Sequence, residues 1–198
     1  MSDQKHSFAS PGPAGLGALA IACFTFYAMF TGKVSHDALP ILACWLVGGA
    51  ICQLTCGIIE LKDHNITGGN VFLFFGAFFM TTAALSVSTK YALLQANLPF
   101  DPKIEGWAWL AAALWLTLMT PNYLKSTKLL FYAVVIIDVA VWAIVGIDLG
   151  LGSKAVLAPI VAWGLLIGGI IGIYLAAAIA LNTTFGKTVL PVPSPYVA

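Results

Sequence analysis

What most restricts this chain is the length of the stretches it leaves without charge. Six apolar runs follow one another: Ala14–Gly32, Ala38–Ile59, Gly68–Thr89, Gly106–Leu124, Leu129–Ile147 and Ala155–Gly186. Only the fifth contains a charged residue, Asp138. An α-helix needs about 20 mostly apolar residues to traverse the ~30 Å hydrocarbon layer of a bilayer. Within lipid, every backbone N–H and C=O must find its partner inside the segment, which the helix provides. The runs therefore predict an all-α integral membrane protein, six transmembrane helices in one bundle. Only 9% of the residues are charged, against roughly 25% in soluble domains.

The first run is too long for a secretory signal, whose apolar core spans about 7–15 residues behind a basic segment. Met1–Ser10 carries one Lys and one Asp. The chain then divides into an N-terminal segment 1–13, a membrane domain 14–186 and a tail 187–198. The sixth run, at 32 residues, exceeds one crossing and must tilt, protrude or fray. Pro159 suits its first turn and Asn182 its polar end. Pro40 suits a first turn, Pro99 and Pro102 a loop, and Pro121 a helix end, so broken helices of the transporter type are not expected.

All nine basic residues are lysines. An even number of crossings puts both termini on one side. With that side inside, Lys5, Lys62, Lys125, Lys128 and Lys187 face the cytoplasm and Lys33, Lys90, Lys103 and Lys154 face out. The excess of basic residues inside favours this orientation, with residence in the cell membrane, inner or plasma. A net charge of +1 offers no basic stripe for nucleic acid. Cys23, Cys44, Cys52 and Cys56 all fall within the apolar runs, where packing is the default. Without a nearby His or further thiolates they predict no metal site, no disulfide and no cofactor. No Gly-rich phosphate loop, HExxH or nucleophile elbow is present, which argues against an enzyme. In the absence of Arg, a bidentate clamp on a carboxylate is also missing.

In the last helix Gly164, Gly168 and Gly172, continued by Ala176 and Ala180, recur every four residues. Such a small-residue stripe lets helix backbones approach closely in lipid. Its partner, in the same subunit or a neighbour, is not readable from the sequence.

The residues now become recognisable. SPGPAGL (Ser10–Leu16) resembles the NPAPLGL signature of the acetate uptake transporter family. QLTCGIIELKDHN (Gln53–Asn65), FGAFF (Phe75–Phe79) and the ending IYLA…LN…FGKTVLP (Ile173–Pro191) are similar to corresponding stretches of that family. The resemblance covers essentially the whole chain. It implies a six-helix, usually homohexameric protein with a central pore in each protomer, carrying acetate and similar small monocarboxylates as an anion channel or a proton symporter. It implies a mid-membrane constriction at Leu19, Phe75 and Ile137, where the family has Phe, Tyr and Leu. By resemblance, too, Ser10, Gln53, Asn65, Asn70 and Asn182 lie along the substrate path. Small carboxylates, the lipid bilayer and further copies of the chain are the implied partners. An apolar constriction gates by dewetting, excluding ions unless a ligand bridges the gap.

Asp138 lies about 14 Å into its helix at 1.5 Å per residue, and one residue past the constriction position Ile137. Intramembrane carboxylates mark ion or proton routes, or else pair with a polar group of a neighbouring helix. The first reading makes Asp138 a protonatable group beside the narrowest point, and Asp138→Asn would then change the pH dependence of uptake. Gln53 serves either an interhelical hydrogen bond or the substrate. Glu60, among Lys62, Asp63 and His64, reads as part of a solvated interfacial cluster. Two other functions stay open: a channel for small neutral solutes such as urea or undissociated acid, and a non-conducting membrane assembly or sensor subunit.

Overall fold

The structure, a computed structural model, describes residues 8–197. The start of the N-terminal segment, with Lys5, and the final Ala198 lie outside the described residues. Helix α1 (Gly12–Phe30) starts directly behind Pro11, with Pro13 in its first turn, where a missing N–H costs nothing. A short 3-10 turn, His36–Ala38, leads into α2 (Leu39–Lys62), again with proline at its start. Helix α3 (Ile66–Phe75) is capped by Asn65, whose side chain accepts from Gly68 N at 3.0 Å. It continues through a π-helical segment, Gly76–Thr81, into α4 (Thr82–Gln95). Then follow α5 (Lys103–Met119), α6 (Lys128–Asp148) and α7 (Lys154–Phe185).

Among the described residues, five spans are long and apolar enough to cross a membrane: α1, α2, the α3–α4 rod, α6 and α7. The expected fourth crossing, Gly106–Leu124, departs from this. Its α-helix is 17 residues, about 25 Å, short of the ~30 Å layer. The rod goes on as a 3-10 turn, Thr120–Lys125, containing Pro121, which has no N–H for the α-ladder. Pro159 likewise sits deeper than expected, as the sixth residue of α7 rather than in its first turn.

The π segment has a local cause. A Cβ on Gly76 would lie 3.2 Å from the Leu54 backbone nitrogen and from Gln53 Cβ, so α2 presses closely there. Thr81 Oγ1 donates to Gly76 O at 2.9 Å and Thr82 Oγ1 to Ala77 O at 3.1 Å, each five residues back. Hydroxyls thus engage carbonyls of the widened turn. π-bulges recur at functional sites, and proline and glycine punctuation gave no sign of this one.

Around the bundle, α7 packs on α1 and α6, α1 on α2, α6 on α5, and α2 on the α3–α4 rod. The remaining seam, between that rod and α5, is bridged chiefly by side chains. Phe74 stacks on Trp115 with ring centroids 4.2 Å apart, and Glu105 of α5 accepts from Ser86 and Lys90 of α4. Leu46, Met80, Val141 and Leu165 fill the interior, while large apolar side chains such as Ile41, Ile51, Leu118 and Val139 cover the outside, as lipid contact requires.

Candidate functional site

Two cavities are lined by residues of several helices. One, of about 90 Å³, is lined by Leu16 and Leu19 of α1, Gln53 of α2, Phe75, Phe79, Tyr123 and Ile137 of α6, among others, which places it in the half of the bundle where α1 begins. Residues expected at a constriction on three separate helices are thus brought to one space. Phe75 is buried, and Leu19 and Ile137 pack against the same core. Phe75 is the last residue before the π segment. Ile137 is seated by α7: a Cβ on Gly168 would fall 2.6 Å from Ile137 Cγ1.

The other cavity, of about 420 Å³, occupies the opposite half and is polar at its far end, where Lys90, Glu105 and Asp148 line it. Phe79 lines both cavities. Its ring meets those of Phe26, Phe75 and Trp109 at centroid distances of 5.4, 6.0 and 5.9 Å. Nothing in the sequence singles out Phe79 from its neighbours Phe72, Phe74, Phe75 and Phe78. Nothing there marks the charged group either. Glu105 and Lys90 are 15 residues apart and on different helices, so no local spacing links them.

Of the five positions expected along a substrate path, one lines a cavity. Gln53 is 1% exposed and borders the smaller cavity. Its Nε2 donates to the Gly15 carbonyl at 3.4 Å, and its Oε1 is buried without a hydrogen-bond partner. The other four are placed by backbone work. Asn65 caps α3 and donates to Glu60 Oε2 at 2.5 Å. The hydroxyl of Ser10 donates to Glu60 Oε1 at 3.5 Å and accepts from Gly12 N at 3.3 Å. Asn70 donates to Ile66 O within its own helix. Asn182 accepts from Val189 N and Leu190 N, at 2.7 and 3.0 Å, and donates to Leu190 O at 2.8 Å. It clasps the tail rather than facing a cavity.

Glu60 itself corrects an expectation. It is buried, not solvated, because it ties the Ser10 end of α1 to the start of α3. The charges beside it in sequence concealed this role. Behind Asn182 the tail runs back across this end of the bundle. Tyr174 donates to Pro191 O at 2.6 Å, Tyr196 and Val197 N–H groups reach Leu124 O, and the Tyr132 and Tyr196 hydroxyls pair.

Asp138 also departs from expectation. It lines neither cavity. Neighbouring Ile137 takes the inward position, and a helix turns about 100° per residue, so Asp138 looks toward the outer α5–α6 groove. There Thr117 donates to its Oδ2 at 2.8 Å, and Trp142 Nε1 donates to the same Thr117 oxygen at 3.0 Å. The geometry is that of an acid paired with a neighbouring helix. The glycine stripe, whose partner the sequence left open, packs within the chain. Gly164 abuts Ala140 and Gly168 abuts Ile137 of α6, and Gly172 faces the Leu16 carbonyl of α1. Among the described residues no cluster of His, Cys, Asp and Glu is placed to hold a metal ion, and the four cysteines are free thiols.

The chain is similar to known membrane proteins over nearly its full length. It is 29% identical over 185 residues to the succinate-acetate/proton symporter SatP of Escherichia coli K12, covering 93% of this chain and 95% of the relative. A solved structure described as the bacterial acetate channel SatP superposes with a TM-score of 0.81 at 25% identity, covering 93% of this chain and 99% of that one. More partial similarity, 28% over 131 residues, links it to accumulation of dyads protein 2 of Saccharomyces cerevisiae, of which it spans 46%. The model of the GPR1/FUN34/yaaH family matches residues 1–194. This multi-pass membrane protein belongs to the GPR1/FUN34/yaaH family.

Proposed function

We propose that the protein conducts acetate and similar small monocarboxylates across the membrane, through a path that joins its two cavities past an apolar waist. Leu19, Phe75 and Ile137 form that waist, with Phe79 as its upper partition. The observation that carries this reading is the convergence of Leu19, Phe75 and Ile137 on one cavity, in a chain whose fold matches that of a protein described as an acetate channel. Lys90 offsets part of the negative charge that Glu105 and Asp148 bring to the wider cavity, which lessens repulsion of an anion before the waist.

The remaining assignments follow from the same reading. Both termini lie in the cytoplasm, so the half that holds the smaller cavity faces inward. Copies of the chain assemble, as the expected homohexamer, and cover outward polar groups such as Asp138 and Thr117 that lipid would not solvate. The test is flux of labelled acetate and of urea into proteoliposomes, with and without a pH gradient. Protein-dependent acetate flux well above urea flux is expected. Equal flux would support a channel for neutral solutes, and none of either a non-conducting role.

A further inference from the structure

The polar end of the wider cavity carries an unbalanced charge. Lys90 of α4 is ion-paired with Glu105 of α5, and Asp148 at the end of α6 lines the same space. One cation thus stands against two carboxylates, and among the described residues Asp148 has no ion pair of its own. The hydroxyls in the lining are engaged: Ser86 donates to Glu105, and Thr82 Oγ1 donates to Ala77 O at 3.1 Å. Trp109 contributes one indole N–H, and the remaining lining side chains, Phe26, Phe30 and Phe74 among them, are apolar.

The surroundings do not redress the balance. Thr82, Ser86, Lys90 and Glu105 also line an adjoining crevice of about 300 Å³ between α4 and the start of α5, to which Asp101 adds a further carboxylate. Lys154 of α7 is near enough to act on Asp148. Both it and Lys103 of α5 are exposed and line neither space, so water and salt screen their charge.

We propose that the wider cavity admits monocarboxylates and rejects dicarboxylate dianions, and that Glu105 and Asp148 set this preference. The proposal rests on reading the chain as a monocarboxylate conductor and names which carboxylates it takes. Size is not the filter, since about 420 Å³ is roomy for either class when a water molecule occupies about 30 Å³. A monoanion has one charge to place, and its alkyl end suits the rings. A dianion has a second. That carboxylate must lie either among apolar side chains, where nothing solvates it, or beside Glu105 and Asp148, where like charge repels it. Setting an unfavourable charge against the wrong ligand is a general route to specificity.

The experiment uses the full chain in liposomes, with protein-free vesicles subtracted. Inhibition of labelled acetate flux is measured at about pH 7, where carboxyl groups of ordinary pKa are ionised, with competitor on both faces of the membrane and ionic strength held constant. Succinate carries two carboxylates, and its monomethyl ester has nearly the same length and carries one. At low salt the ester should inhibit at roughly tenfold lower concentration than succinate or better. The gap should close toward about 1 M salt, where charges are screened within about 3 Å. Asp148→Asn leaves the Lys90–Glu105 pair in place and should narrow the gap, as should Glu105→Gln. Should either variant fail to fold, the salt dependence of the wild type decides. Competitors of equal strength, inhibition by neither, a gap unmoved by salt, or a gap that both folded variants keep overturns the proposal while leaving monocarboxylate conduction intact. Absence of protein-dependent acetate flux overturns both.

Discussion

Thr117 of α5 donates to the Asp138 carboxylate of α6 at 2.8 Å, and the pair lies in the outer groove between these helices rather than against either cavity. An acid held this way belongs to the joint between α5 and α6. Asp138→Asn keeps an oxygen for Thr117 to donate to, so folding and the dependence of flux on pH should both stay as in the wild type. Thr117→Val removes the donor and should cost about 0.5–1.5 kcal/mol of stability, the usual net worth of one intramolecular hydrogen bond. Thermal unfolding in detergent and the flux–pH profile check the two parts. A shifted profile in Asp138→Asn would return this carboxylate to the permeation path.

Gly168 offers a probe of the waist from behind. A methyl placed there would sit 2.6 Å from Ile137 Cγ1. Overpacking of this kind typically costs about 1–3 kcal/mol, and its relief here is movement of Ile137 toward Leu19 and Phe75. Gly168→Ala should therefore lower both stability and acetate flux. Adding Ile137→Ala should restore much of the flux, a non-additivity expected only of residues in contact. Additive losses in the double variant would show that Gly168 does not act through Ile137.

Lys90 is paired with Glu105 yet lines the wider cavity. Replacing it by Gln should lower acetate flux from that side by roughly two- to tenfold at low ionic strength, because Glu105 and Asp148 are then left without their offsetting cation and repel the anion. The difference from wild type should shrink as salt is raised toward about 1 M, where charges are screened within about 3 Å. A deficit independent of salt would point instead to damage at the α4–α5 seam, which the same ion pair bridges.

Asn182 holds the tail through three hydrogen bonds to Val189 and Leu190. At about 0.5–1.5 kcal/mol for each bond, Asn182→Ala should release residues 187–197 from this end of the bundle. Limited trypsin cleavage after Lys187 should then run at least about tenfold faster. Unchanged cleavage would mean that the contacts of Tyr174 with Pro191 and of Tyr196 with Leu124 suffice without Asn182.

The sequence disclosed what depends on local chain chemistry. The apolar runs gave the helices to within a few residues, since length and hydrophobicity alone decide insertion. The four-residue spacing of Gly164, Gly168 and Gly172 gave a packing face. It did not name α1 and α6 as the partners, since contact between helices is a property of the whole bundle. Leu19, Phe75 and Ile137 came from resemblance, not from pattern. Glu60 was misjudged because its sequence neighbours are charged while its spatial neighbours are Ser10 and Asn65. The π segment escaped because it arises where α2 crowds Gly76, a tertiary cause. Asp138 stood out correctly as an acid in an apolar helix. Which way it faces depends on the rotation of α6, and no pattern in the run from Leu129 to Ile147 fixes that.

The central claim, that permeation passes between Leu19, Phe75 and Ile137, is tested most directly by acetate flux through a Leu19→Cys variant before and after treatment with a small charged methanethiosulfonate. The account predicts that modification of this position brings flux down to the level of protein-free liposomes, while the wild type, with its own four cysteines, is little affected. Flux that persists at its original rate, with mass spectrometry showing the introduced thiol fully modified, would contradict it.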